Sequence, residues 1–90
     1  MVGKSVIKAS SAAISAKRGT VYGIGLSAGA DEATLIIKDG GTSGTVKTST
    51  LIVGTGTSDH WSFPSGIQCS TSIYATITGT TPVAMVEWDD

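Results

Sequence analysis

The 90-residue sequence has little of what most enzyme sites and disulfide-bonded domains need. It has one cysteine, Cys69, and one histidine, His60, and it contains no asparagine. One cysteine excludes a disulfide within the chain, one His with one Cys cannot build a closed zinc site, and the missing asparagine excludes N-glycosylation. Because small secreted domains usually depend on disulfides, the sequence predicts synthesis in a reducing cytoplasm.

Charge is also scarce. Charged residues make up 14% of the chain and the net charge is −1, whereas average domains carry roughly 25% charged residues. The lack of a basic excess predicts that nucleic acid is not a partner. No apolar run approaches the ~18 residues that a membrane span needs, so we expect no membrane association. A surface so poor in charge also suggests that partner chains cover part of it.

What the sequence does have is short β-branched runs separated by turns, and Ser, Thr and Gly supply 37 of its 90 residues. The one helical candidate, Ser10–Lys17, is about two turns long and too short to be stable alone. Phe63–Gly66 has the Pro and Gly positions of a type I turn. The predicted strands are Ser5–Ala9, Thr20–Ser27, Thr34–Lys38, Val46–Val53, His60–Phe63, Ile67–Cys69, Ser72–Thr78 and Val83–Trp88.

This spacing of strands predicts an all-β fold, an antiparallel β-sandwich that is jelly-roll-like and has about eight short strands. No connection is long enough for the crossover helix of a parallel βαβ unit. We expect a single domain, with residues 1–18 as an N-terminal strand and arm and residues 19–90 as the sandwich body.

Two short motifs resemble parts of functional sites but lack the neighbouring structure that those sites need. Gly23–Ala28 has the form G-x-G-x-x-A, but a turn follows it where a dinucleotide site requires a helix. Asp59 and His60 are adjacent in a predicted strand, so their side chains point to opposite faces and do not orient each other as in a hydrolytic triad. We therefore predict no catalytic residues, no metal site and no cofactor, and hence a protein that is not an enzyme.

The aromatic residues leave two interpretations open. Trp61 and Phe63 share one face of a predicted strand, which favours packing in the core, and alternation likewise places Tyr22 on the same face as Ile24. An exposed Trp61 or Trp88 would instead suit stacking on sugar rings, as in a carbohydrate-binding module. Trp88 lies among acidic residues near the end of the chain and could anchor that end on the domain or on a neighbour.

Several phrases of the sequence resemble a type of small structural protein found in tailed-phage particles. They span most of the chain, and the stretch Ser10–Ala16 departs from the pattern. The phrases are Val6–Ala9, Gly19–Ile24, Ile36–Gly40, Phe63–Ile67 and Ser70–Gly79. The resemblance implies a β-sandwich that often associates as trimers, in a capsid decoration (cement) or head-fibre protein without catalytic residues.

We therefore expect a capsid decoration protein on the head surface of a virion, made in the host cytoplasm. Its expected partners are the major capsid protein and further copies of itself, as a homotrimer that matches three-fold positions of a shell. The alternatives are a tail or fibre component and a carbohydrate-binding module for host attachment. The residues predicted to contact the capsid or a neighbouring subunit are Lys4, Lys8, Lys17, Arg18 and Trp88.

Overall fold

The structure is a computed structural model and describes residues 4–89. Within this range the chain forms nine strands and no helix, so it contains no helix that could cross a membrane. The strands are β1 (Lys4–Lys8), β2 (Ala12–Ser15), β3 (Gly19–Ser27), β4 (Ala33–Asp39), β5 (Thr45–Val46), β6 (Leu51–Val53), β7 (Ser58–Cys69), β8 (Ile73–Thr78) and β9 (Val83–Asp89).

The strands form two antiparallel sheets. The four-stranded sheet has the order β1-β9-β3-β7, and the five-stranded sheet has the order β2-β8-β4-β5, with β6 also paired to β4. The first half of the chain pairs with the second half in reverse order: β1 with β9, β2 with β8, β3 with β7, and β4 with β5 and β6. The chain is thus a ribbon folded over on itself, which is the jelly-roll topology. The predicted antiparallel sandwich is confirmed.

The core lies between the two sheets and is apolar. Alternate residues of each strand face it, as Ile24 and Leu26 of β3 and Leu35 and Ile37 of β4 do, each at most 1% exposed. In residues 4–89 no polar or charged residue is buried, so the chemistry these residues offer lies at the surface. The buried cluster is Ile14, Val21, Ile24, Leu26, Ala28, Ala33, Leu35, Ile37, Val53, Cys69, Ile73, Ala75, Ile77, Ala84 and Val86.

One predicted strand is divided in two. The prediction placed a single strand at Val46–Val53, and β5 and β6 stand in its place. Between them the Lys47 N–H donates to the carbonyl of Ile37 at 2.8 Å, and the N–H of Ile37 donates to the Thr48 hydroxyl at 3.2 Å. The Thr48 hydroxyl therefore takes the place of a backbone carbonyl beside β4. Ile37 of β4 keeps its hydrogen bonds although the paired chain bends between β5 and β6.

The predicted type I turn at Phe63–Gly66 is wrong, because the chain does not reverse there. These four residues lie inside β7, between the pairs Val21–Ile67 and Gly23–Ser62, and they face a single residue of β3. They form a wide bulge, and the two strands predicted on either side of the turn are one strand. The proline, which has no N–H to donate, is tolerated at a bulge.

The N-terminal segment is part of the sandwich. Of the predicted arm at residues 1–18, residues 1–3 lie outside the described range, while β1 pairs with β9 and β2 pairs with β8. β2 occupies the middle of the helical candidate Ser10–Lys17, because pairing with β8 lets Ile14 enter the core, where it is 9% exposed. The prediction of an arm needs correction, since residues 4–18 supply an edge strand to each sheet.

Candidate interaction surfaces

The residues predicted to make contacts lie on β1, on β9 and between β2 and β3. Lys4 and Lys8 begin and end β1, which separates their α-carbons by roughly 13 Å at the usual rise of a strand. Lys17 and Arg18 are exposed between β2 and β3, and Trp88 lies opposite Lys4 in the β1–β9 register. A common role for these residues stays a prediction.

Both tryptophans contact the core. Trp61, Phe63 and Trp88 are half-buried and pack against the buried cluster, which confirms the predicted core packing of Trp61 and Phe63. The indole N–H of Trp88 is buried and has no hydrogen-bond partner within the described residues. The sugar-binding alternative required an exposed tryptophan, and these two side chains do not provide one.

The outer face of the four-stranded sheet carries an apolar patch. Ile7 and Val83 are 67% and 48% exposed, and Met85 lies beside Ile7 in the β1–β9 register. These side chains border a shallow groove of about 220 Å³ whose lining is almost wholly apolar and includes Gly25. We call the patch formed by Ile7, Gly25, Val83 and Met85 the apolar face.

The outer face of the five-stranded sheet has a different character. Alternation on β4 and β8 directs Thr34, Thr76 and Thr78 away from the core, and the hydroxyls of Thr34 and Thr78 are hydrogen-bonded to each other. Threonines thus occupy much of this face, although the hydroxyl oxygen of Thr76 is buried and has no hydrogen-bond partner within the described residues. Two apolar side chains of this sheet are also exposed, Val46 on β5 at 54% and Ile52 on β6 at 55%.

Two glycines of β3 allow side chains from its neighbouring strands to meet above it. Gly23 lies opposite Ser62 of β7 and Glu87 of β9. A β-carbon at Gly23 would collide with the Glu87 carboxylate and lie 3.4 Å from His60 Nε2. The absence of a side chain at Gly23 therefore leaves room for side chains of the two neighbouring strands.

The partner of His60 is Glu87, and this pairing was missed at the sequence level. His60 Nε2 lies 3.2 Å from Glu87 Oε1, with the two side chains 48% and 46% exposed. Asp59 instead accepts a hydrogen bond from the His60 backbone N–H at 2.8 Å, so it does not orient the ring. An exposed pair of this kind contributes little to stability, and the described residues place no triad around it.

A second concave site lies where β3 begins and β7 ends. It is a cleft of about 320 Å³ that also includes Gly19 and Cys69. We call this cleft the end cleft. Its polar side chains are one guanidinium, one carboxylate, one amide and three hydroxyls. These side chains are Arg18, Thr20, Tyr22, Gln68, Ser70 and Asp89.

Tyr22 reaches the end cleft because β3 bulges at this residue. β9 has no residue opposite Tyr22, so the alternation of β3 shifts by one there, and the prediction that Tyr22 and Ile24 share a face is wrong. The ring stands against Gly66, whose φ is +77°. A β-carbon at Gly66 would lie 3.1 Å from the Tyr22 ring and would collide with the methyl group of Thr20.

A carboxylate holds the turn that borders the end cleft. Asp39, at the end of β4, accepts hydrogen bonds from the backbone N–H groups of Ser70 and Thr71, both at 2.9 Å, and of Ser72 at 3.3 Å. The Ser70 and Thr71 amides do most to lower the pKa of Asp39 from 3.8 to about 2, because they stabilise the ionised form.

The thiol of Cys69 is the remaining reactive side chain to consider. Cys69 is 2% exposed, and burial, together with the negative charge of Asp39, raises the pKa of its thiol. A protonated, buried thiol is a poor nucleophile. Residues 4–89 contain no group of three or more His, Cys, Asp or Glu side chains that could hold a metal ion.

Comparison with known proteins gives a fold likeness. No family model matches the sequence, and no curated protein matches it. Among solved structures, the chain is similar to a protein of the disulfide-linked pili that form Bacillus endospore appendages. The TM-score is 0.54 and the sequence identity is 20%, over 97% of this chain and 85% of that chain. The TM-score indicates a similar fold, and at this identity the likeness shows the fold alone.

Proposed function

We propose that this protein is a structural subunit that works by assembling with other protein chains, and that it is not an enzyme. The observation that carries the proposal is the apolar face on the outside of the four-stranded sheet. Ile7 is 67% exposed there, and burying such a side chain fully is worth about 1.5–3 kcal/mol. A partner that covered Ile7 and Val83 would gain free energy from the burial of both side chains.

The geometry of the apolar face suits contact with a second protein surface. Gly25 has no side chain, and a glycine in a strand lets another backbone or side chain approach closely. The five-stranded sheet exposes Val46 and Ile52 only on its short strands β5 and β6, and its longer strands β4 and β8 carry threonines on the outer face. One side of the sandwich is therefore better suited to burial than the other, as a subunit in an assembly requires.

Two kinds of assembly fit this proposal. The resemblance of the sequence phrases to small phage structural proteins favours a decoration protein on a capsid, bound to the major capsid protein as a homotrimer. The fold likeness to a pilus protein favours a second candidate, the subunit of an appendage. A disulfide-linked polymer needs at least two cysteines in each subunit. Cys69 is the one cysteine in these 90 residues, so an appendage built from them would be held by non-covalent contacts.

The test is the oligomeric state of the purified protein and its dependence on the apolar face. We expect sedimentation velocity to give a mass above the 9.1 kDa of one chain, and Ile7→Glu to return the protein to that mass. Ile52→Glu is the matched control, because it places the same charge at another exposed isoleucine, which lies on the other sheet. A wild-type protein that stays monomeric at high concentration would contradict self-assembly.

The form of the oligomer distinguishes the two candidates. A closed trimer, with three times the mass of the chain at every concentration, supports a decoration protein that matches three-fold positions. A mass that grows with concentration, with filaments visible by negative-stain electron microscopy, supports an appendage. Copy number on isolated particles then separates shell decoration from a tail or fibre component, since decoration requires far more copies.

A further inference from the structure

We propose that the end cleft binds a neutral carbohydrate, with the ring of Tyr22 against one face of the sugar and the polar side chains around it on the hydroxyl groups. This inference does not depend on the proposed function. The apolar face lies on the opposite half of β3, near Gly25, whereas the end cleft lies near Thr20.

The Tyr22 ring is presented as a fixed surface. The bulge in β3 turns it away from the core, and it is 37% exposed. Gly66 lies against one side of the ring. A β-carbon added at Gly66 would be only 3.1 Å from Cε1 of Tyr22. The negatively charged face of an aromatic ring attracts groups with partial positive charge, and the C–H groups on one face of a pyranose provide them.

Part of the hydrogen-bonding capacity of the cleft is unused. Within residues 4–89 no side-chain hydrogen bond or ion pair engages Arg18, Tyr22 or Gln68. Thr20 and Gln68 are opposite each other in the β3–β7 ladder, so two of the polar side chains are mounted on a rigid, paired backbone. Groups held on strands keep their positions better than groups on loops, which lowers the entropy lost when a ligand binds.

The mixture of groups favours a neutral ligand with many hydroxyls. Arg18 donates, the Gln68 amide and the Thr20 hydroxyl can donate or accept, and the Ser70 hydroxyl, which donates to Asp39, can still accept. One positive and one negative side chain leave no surplus charge to attract a phosphate or another anion. A sugar offers alternating donors and acceptors, which this set can match. The volume of about 320 Å³ lies at the small end for ligand pockets and suits one or two sugar rings.

The experiment is a titration of the ¹⁵N-labelled full chain, followed by amide chemical shifts. The probes are the methyl glycosides of glucose, galactose, mannose and N-acetylglucosamine, each added to about 50 mM, well above the millimolar dissociation constant expected of one sugar in a shallow site. We expect at least one probe to shift the amides of Thr20, Tyr22 and Gln68 with saturation, while those of the five-stranded sheet stay in place.

Variants identify the groups responsible. Tyr22→Ala should weaken binding by about tenfold or more, whereas Tyr22→Phe should retain most of the affinity because it keeps the ring. Tyr74→Ala is the matched control, since it removes the other tyrosine, which lies on β8, and it should leave the dissociation constant unchanged. If Tyr22→Ala does not fold, Gln68→Ala replaces it, since this exposed side chain can be removed without opening the core.

Two results would overturn the inference. One is the absence of a saturable shift for all four glycosides, and the other is unchanged affinity in a folded Tyr22→Ala or Gln68→Ala variant. Ile7→Glu should bind the sugar like the wild type even if it abolishes assembly. A failure of the proposed assembly and a failure of the carbohydrate site can therefore be told apart.

Discussion

The carboxylate of Asp39 accepts a hydrogen bond from the backbone N–H of Ser70 at 2.9 Å, across 31 positions of sequence. The same oxygen also accepts from the Ser70 hydroxyl at 3.1 Å, and the other oxygen accepts from the next two amides. The turn between β7 and β8 is thereby fastened to the end of β4.

Asp39→Asn should lower the melting temperature more than the same change at another exposed acid. The amide that replaces one oxygen is a donor, and it would face the Ser70 N–H or the Thr71 N–H, which are also donors. Circular dichroism melts measure the effect, and Glu32→Gln is the control because Glu32 is exposed and lies outside this cluster. Equal melting temperatures for the two variants would show that the turn does not need the carboxylate.

The stability of the protein should fall as the pH drops from about 4 to about 2. The pKa of Asp39 is about 2 in the folded chain against an ordinary 3.8, so on acidification the unfolded chain binds the proton first. The stabilisation is complete above the unfolded value and is lost as the pH approaches the folded one. Melting temperatures of the wild type should therefore decline across this range more steeply than those of Asp39→Asn, and parallel curves would contradict the assignment.

Gly66→Ala should destabilise the protein more than Gly56→Ala. Both glycines have similar positive φ values, +77° and +70°, but a methyl group at Gly56 meets nothing within 4 Å whereas one at Gly66 collides with Thr20. The shared backbone strain is about 1–2 kcal/mol, and overpacking at Gly66 adds about 1–3 kcal/mol. Urea denaturation gives both values, and a smaller loss at Gly66 would mean that the bulge adjusts easily.

The thiol of Cys69 should react slowly in the folded protein. It is 2% exposed and its pKa is raised by burial, so iodoacetamide should modify it only when the chain opens locally or globally. We expect labelling to be at least about 100-fold slower without urea than with it. A Ser43→Cys, Cys69→Ser double variant supplies an exposed thiol as the control, and comparable rates for the two proteins would rule out the buried position.

The sequence was sufficient to predict the class of fold because most of its strands alternate cleanly. Ile73, Ala75 and Ile77 face the core as alternation requires, and Gly or Pro lies in four of the eight connections between strands. The prediction was wrong where a strand continues through turn-like residues. Phe63–Gly66 has local turn chemistry, but the pairing of β7 with β3 on both sides of it keeps the chain extended.

The candidate site could not be predicted because it depends on the order of strands in space. His60 and Glu87 meet only because β7 and β9 lie on either side of β3, and nothing in the sequence near His60 indicates this. Tyr22 illustrates a second reason: strict alternation places it with Ile24, and a bulge can be recognised only when the partner strands are known. Local patterns report which face a residue prefers, whereas bulges and neighbours depend on distant pairings.

The position of β9 has a consequence for the time at which the protein can fold. β9 lies between β1 and β3, yet it follows them in the chain by more than fifty residues. During synthesis the four-stranded sheet therefore lacks its central strand until residues 83–89 have left the ribosome. Folding should be late and cooperative, at the slow pace of proteins whose contacts are distant in sequence. Until then the apolar inner face of β3 stays exposed and can contact other unfolded chains.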